Sequence, residues 1–102
     1  MVKYTITASK DSKTVAVRYH LEVPAGGPEL IARFSFYVDG SDAIKESASG
    51  NTVFSGTAFA KLADGAKDVA VSFAISSSTG WTADGSDTLR GGHPYDDSEF
   101  SN

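Results

Sequence analysis

The stretch from His93 to Glu99 gathers the densest set of hard ligands in the chain. His93, Asp96, Asp97 and Glu99 fall within seven residues, and Asp84 and Asp87 lie just upstream. Carboxylates in such number suit calcium, which takes about six to eight oxygens from side chains and backbone carbonyls. The string Asp84-Gly85-Ser86-Asp87 does not have the spacing of an EF-hand loop, which needs Asp-x-Asp-x-Asp-Gly and a distal Glu. A single His is thin for zinc. A solvated acidic segment is therefore the favoured reading, with no cofactor, and calcium is the alternative.

The same stretch suits a polar organic ligand better than a metal. Flat rings stack on a sugar ring while carboxylates accept the hydrogens of its hydroxyls. Trp81, His93 and Tyr95 supply rings here, Asp84, Asp87, Asp96 and Asp97 supply acceptors, and Arg90 supplies a donor. These eight residues form the expected ligand site. No catalytic residue is expected.

Other chemistries fare worse. A Ser or Thr nucleophile needs a base, and the chain has two His, His20 and His93. No Gly-x-Ser-x-Gly elbow is present. His20 falls on the polar face of an alternating segment, so it is expected to face solvent. The chain has no Cys, which removes thiolate metal sites, Cys nucleophiles and disulfides. Gly26-Gly27 and Gly91-Gly92 do not precede a helix, so neither makes a phosphate loop.

Charge narrows the partners. Residues 1–78 carry 8 basic and 8 acidic side chains, and residues 79–102 carry Arg90 against five acids, so the net −4 lies wholly in the last quarter. Basic residues nowhere cluster, so nucleic acid is not an expected partner and an anionic membrane surface is disfavoured. The start, Met-Val-Lys-Tyr-Thr-Ile, shows no apolar core of a signal peptide. A cytosolic location, or export by another route, is the expectation.

What must position these residues is a set of strands. Apolar and polar residues alternate in five segments, the pattern of a strand with one buried face. The apolar sets are Val2/Tyr4/Ile6/Ala8, Val15/Val17/Tyr19/Leu21/Val23, Ala32/Phe34/Phe36/Val38, Phe54/Gly56/Ala58/Ala60/Leu62 and Val69/Val71/Phe73/Ile75. Lys10-Asp11-Ser12-Lys13 reads as a tight hairpin and Pro24-Ala25-Gly26-Gly27-Pro28 as a longer loop. Asp39-Gly40 closes the third strand, and Ala63-Asp64-Gly65-Ala66 reads as a hairpin between the last two. Ala43-Ile44-Lys45-Glu46 is expected to hold a short helical turn.

Antiparallel strands with one apolar face must bury those faces against each other. The expected fold is all-β: a small antiparallel sandwich or barrel of five to seven strands, followed by an acidic Gly/Asp-rich C-terminal segment. Residues 1–78 form the expected body, and residues 79–102 pack on it or on a neighbouring subunit. Strand, Val-Asp-Gly, long loop, strand, Ala-Asp-Gly and strand together resemble an immunoglobulin-like sandwich in architecture, without the disulfide of its true members.

The functional expectation is a non-enzymatic, lectin-like binding module whose loops and C-terminal segment take a polar ligand, with a glycan as the candidate class. The alternative is a self-assembling structural subunit. Its core is thin in large residues, Tyr37 and Phe59 fall on nominally polar faces, and Trp81, Tyr95 and Phe100 could anchor an arm on a neighbour. A homo-oligomer is the expected state on either reading. A minor alternative is a membrane-inserting β-hairpin formed by the Ser-, Thr- and Ala-rich residues 52–78.

Overall fold

A computed structural model describes residues 2–102 except residue 12, residues 24–30, residue 40, residues 50–51, residue 65 and residue 94. The expected Pro24–Pro28 loop lies outside the described residues. Eight strands run in chain order: β1 (Lys3–Lys10), β2 (Thr14–Val23), β3 (Ile31–Val38), β4 (Ser41–Ser49), β5 (Thr52–Lys61), β6 (Val69–Ser77), β7 (Thr82–Leu89) and β8 (Asp96–Ser101). They form two four-stranded antiparallel sheets, ordered β5-β2-β1-β8 and β4-β3-β6-β7. The protein is an all-β sandwich of immunoglobulin-like architecture, with β8 added beside β1.

Alternation sets the faces. In β2, Val15, Val17, Leu21 and Val23 are buried while Arg18, His20 and Glu22 are exposed or half-buried. In β6, Val69, Val71, Phe73 and Ile75 are buried while Ala70, Ala74 and Ser76 are exposed. The inner faces meet in one core, which β1 completes with Ile6 and Ala8, and β3 with Phe34 and Phe36. Tilted aromatic pairs join the sheets: Tyr4 with Phe73 at 5.3 Å between centroids, Tyr19 with Phe34 at 5.4 Å, and Phe73 with Phe100 at 5.0 Å.

Three expectations are corrected. Residues 43–46 do not form a helical turn. They lie in β4, which pairs with β3 through a register shift at Phe36/Tyr37. The helix-favouring Ala, Lys and Glu are outvoted by the unpaired edge of β3, a case of tertiary context overriding propensity. The segment 52–78 is not a hairpin: β5 pairs with β2, β6 pairs with β3, and the connection crosses from one sheet to the other. Lys10 is not a turn residue. It ends β1 on the inner face, completely buried, and its Nζ has no hydrogen-bond partner among the described residues.

The β1–β2 hairpin forms as expected, with the Asp11 amide donating to the Thr14 carbonyl at 3.0 Å. The Asp11 carboxylate accepts from the Lys13 and Thr14 amides at 2.8 and 2.7 Å, which hold its carboxyl below the ordinary aspartate range. Residues 82–89 and 96–101 supply an edge strand to each sheet, β7 beside β6 and β8 beside β1. The Asn102 side chain secures the end of β8, donating to the Val2 carbonyl at 2.7 Å and accepting from the Tyr4 amide at 3.0 Å.

Candidate functional site

Antiparallel connectivity sends four chain connections to one end of the sandwich: β1–β2, β3–β4, β5–β6 and β7–β8. Arg90, His93 and Tyr95 lie in the β7–β8 loop at this end and are exposed. Trp81 lies at the other end, just before β7, with its ring 6.5 Å from that of Tyr4. The structure therefore does not bring Trp81 together with the loop residues.

The four aspartates also separate. Alternation turns Asp84 to the outer face of the β4-β3-β6-β7 sheet and Asp97 to the outer face of the other sheet, both exposed. Asp87 and Asp96 point to the flank where β7 and β8 meet. Both are committed to the fold. Asp87 accepts from the Ser98 hydroxyl at 2.5 Å and from the Thr88 amide at 2.8 Å. Asp96 accepts from the Arg90 amide at 2.7 Å and from its neighbour's amide at 3.1 Å, closing the loop between β7 and β8. Tyr95 donates its hydroxyl to Asp97 at 3.3 Å and keeps an exposed ring. Among the described residues, no three His, Asp or Glu side chains are grouped to hold a metal ion.

The loop end does contain a recess. A cleft of about 510 Å³ opens between the end of β3 and the β5–β6 connection. Asp39, Asp64 and Asp68 bring acceptors to it, and Lys61 and Lys67 bring donors. Its walls are tied down. The Asp39 amide donates to the Ala70 carbonyl at 2.7 Å, the Asp64 carboxylate accepts from the Ala66 amide at 3.0 Å, and the Leu62 amide donates to the Lys13 carbonyl at 2.8 Å. Asp68 accepts from the Gly91 amide at 2.8 Å, which fastens the Arg90–His93 loop to the cleft wall. Gly91 permits that approach, because a Cβ there would strike the Ala66 carbonyl and the Lys67 backbone.

These cleft residues were not among those the sequence singled out. Asp39 and Asp64 sit in the segments that read as turns, Asp39-Gly40 and Ala63-Asp64-Gly65-Ala66, and Lys61, Lys67 and Asp68 flank the second. Only the crossover of β5 to β6 between sheets draws those turns together, and pairwise hairpin signals do not encode it.

One further constellation resembles catalytic machinery. On the outer face of the β5-β2-β1-β8 sheet, Ser55 Oγ lies 2.6 Å from His20 Nδ1, and His20 Nε2 lies 3.3 Å from Glu22 Oε1. His20 and Ser55 are direct cross-strand partners. His20 and Glu22 are about half exposed, at 48% and 51% of their side chains. The loop-end cleft takes in none of the three. Half-exposed side chains leave the Ser55–His20 pair open to water, whereas catalytic pairs work best where water is excluded.

Trp81 and Phe100, expected anchors of an arm, lie against Tyr4 and Phe73 of their own chain. No helix of the described residues is long and apolar enough to cross a membrane. Compared with protein-family models and with curated proteins, the sequence matches none.

Proposed function

We propose that the protein is a non-enzymatic binding module that takes a polar, hydroxyl-rich ligand, of which a glycan is the leading class, in the cleft at its loop end. The observation that supports this is the meeting of Asp39, Asp64 and Asp68 with Lys61 and Lys67 around one recess. Carboxylates accept hydroxyl hydrogens and ammonium groups donate to hydroxyl oxygens, so the rim suits a ligand carrying both. Arg90, His93 and the exposed Tyr95 ring stand on the loop fastened to that wall and extend the surface. Asp87 and Asp96 serve as struts in this reading, and Trp81 takes no part.

A glycan array run with and without calcium tests the proposal. Binding that is lost on Asp64→Ala or Lys67→Ala, and kept on Asp84→Ala, is the expected result. No binding to any array member, or binding indifferent to the cleft substitutions, overturns it. A calcium requirement would add the ion to the site.

A further inference from the structure

The four edge strands of the sandwich differ in how they resist pairing. β8 carries Asp96, Asp97 and Glu99, β7 carries Asp84 and Asp87, and β4 carries Lys45 and Glu46 together with the register shift against β3. Charges and irregularities of this kind discourage a second chain from adding to a sheet edge. β5 has neither. From Thr52 to Ala60 it holds no charged residue, and its ten residues pair with β2 in unbroken register. Lys61 closes it. Among the described residues no strand occupies its other edge.

The outer face of β5 also carries two exposed apolar side chains beside Ser55 and Thr57. Val53 and Phe59 are 62% and 69% exposed, two of the three large hydrophobic residues that stand out into solvent among the described residues. On the same flank an apolar crevice lined by Tyr19, Leu21, Phe34, Ala48 and Phe54 runs between the edges of β4 and β5. The opposite flank is laced shut by the Asp87–Ser98 hydrogen bond and by Phe100 packed against Phe73.

The order of residues in β5 says what fits this edge. Read outward from Gly56 in both directions, Ser55 faces Thr57, Phe54 faces Ala58, Val53 faces Phe59 and Thr52 faces Ala60. Two antiparallel copies of β5 on a two-fold axis at Gly56 would make each of these a direct cross-strand pair. Val53 and Phe59 would then cover each other twice, a β-branched–aromatic pairing favourable in sheets. Each large Phe54 would meet a small Ala58. Lys61 would lie one same-face step beyond Val53 of the second copy, whose neighbour within its own sheet is Glu22, so unlike charges approach at both ends. The two Lys61 side chains would sit at opposite ends of the pairing. An edge of ten residues is about 33 Å long. On a body 20 Å across, contact along that edge would bury on the order of 1,000 Å² in total, the threshold for a biological interface and the weak end of dimer sizes.

We infer that the protein forms a two-fold dimer by antiparallel pairing of β5 with β5 of a second copy, centred on Gly56, which joins the two β5-edged sheets into one of eight strands. The interface is isologous, as a closed dimer requires. Ala60 and Lys61 at one end of the pairing also line the loop-end cleft, and the pairing does not depend on a ligand there.

Sedimentation velocity over a concentration series tests the inference, on the wild type and on the double variant Val53→Lys/Phe59→Lys. Both positions are exposed, so the variant keeps its core, and its circular dichroism melt checks this. A wild-type dimer and a variant monomer with an unchanged melt is the expected result. A wild type that stays monomeric, or a folded variant that stays dimeric, overturns the inference. The register has its own test, because the chain has no Cys. Val53→Cys and Phe59→Cys chains mixed under mild oxidation should cross-link to each other far faster than either does alone, since directly opposed strand residues lie within disulfide reach. Equal cross-linking in all three samples overturns the axis at Gly56.

Discussion

The Ser98 hydroxyl on β8 donates to the Asp87 carboxylate on β7 at 2.5 Å, and so bridges the two sheets along one flank. The Ser98 hydroxyl first, and the Thr88 amide second, hold the Asp87 carboxyl below the ordinary aspartate range. The amides of Lys13 and Thr14 do the same for Asp11. A carboxyl with a lowered folded-state pKa contributes stability above the unfolded value of about 3.9, and that contribution is lost as pH falls through the folded value. Urea unfolding midpoints should therefore drop as pH falls from about 5 toward 2. The double variant Asp11→Asn/Asp87→Asn should show a shallower drop. Equal slopes would mean that these two carboxylates do not drive the acid limb.

Aromatic rings lie over glycines on two edge strands. Gly56 of β5 is the direct partner of Tyr19, and Gly85 of β7 is the direct partner of Phe73. A Cβ at Gly85 would sit 2.6 Å from Phe73 and 3.1 Å from Phe100, and one at Gly56 would strike the Tyr19 ring and hydroxyl. Burial, and then the Glu46 charge, push the Tyr19 phenol above its ordinary range. Gly85→Ala should cost about 1–3 kcal/mol, as overpacking does. Gly80→Ala meets no atom and carries only the strain of φ +88°, about 1–2 kcal/mol. Chemical denaturation separates the cases when each is combined with Phe73→Leu. That change makes room for the methyl added by Gly85→Ala and should rescue that variant, while leaving the cost of Gly80→Ala unaffected.

The body of the sandwich was legible because its inner strands alternate cleanly. Val15 to Val23 and Val69 to Ile75 carry apolar residues on every inward step, and burial follows them. The edge strand β5 was legible, but β4, β7 and β8 were not, since an edge strand can leave half its face to water. β7 turns Ala83, Gly85 and Asp87 inward before its one large residue, Leu89, and β8 turns Asp96 and Ser98 inward before Phe100. Neither reads as a strand without its neighbour. The site was legible only in part. Chain proximity grouped Trp81 with Arg90, but a strand of eight residues lies between them and carries them to opposite ends. The cleft joins Asp39 to Asp64 and Asp68 across two sheets, a relation that no local spacing holds.

Lys10 is the residue the fold tolerates least comfortably. Its side chain is fully buried among the inner residues, and Nζ has no hydrogen-bond partner among the described residues. An amine taken out of water without compensation is costly, and an apolar side chain of similar length removes that cost while keeping the packing. Lys10→Met should raise stability by about 1–3 kcal/mol. Thermal and urea unfolding would read this as a higher melting temperature and midpoint. A loss of stability would show that the amine has a partner in solution and is part of what holds the loop end together.

Trp81 gives a direct way to separate the two ends of the molecule. It is the only Trp in the chain, and it lies beside Tyr4, away from the cleft between β3 and the β5–β6 connection. Indole emission responds to its immediate surroundings, and ligand contact at the far end of a rigid sandwich leaves those unchanged. Titration of a cleft ligand should therefore shift chemical shifts at Asp64, Lys67 and Gly91 without altering Trp emission. Trp81→Phe should bind with unchanged affinity. A quench or blue shift on binding, or an affinity loss in that variant, would place the ligand at the Trp81 end and overturn the cleft as its site.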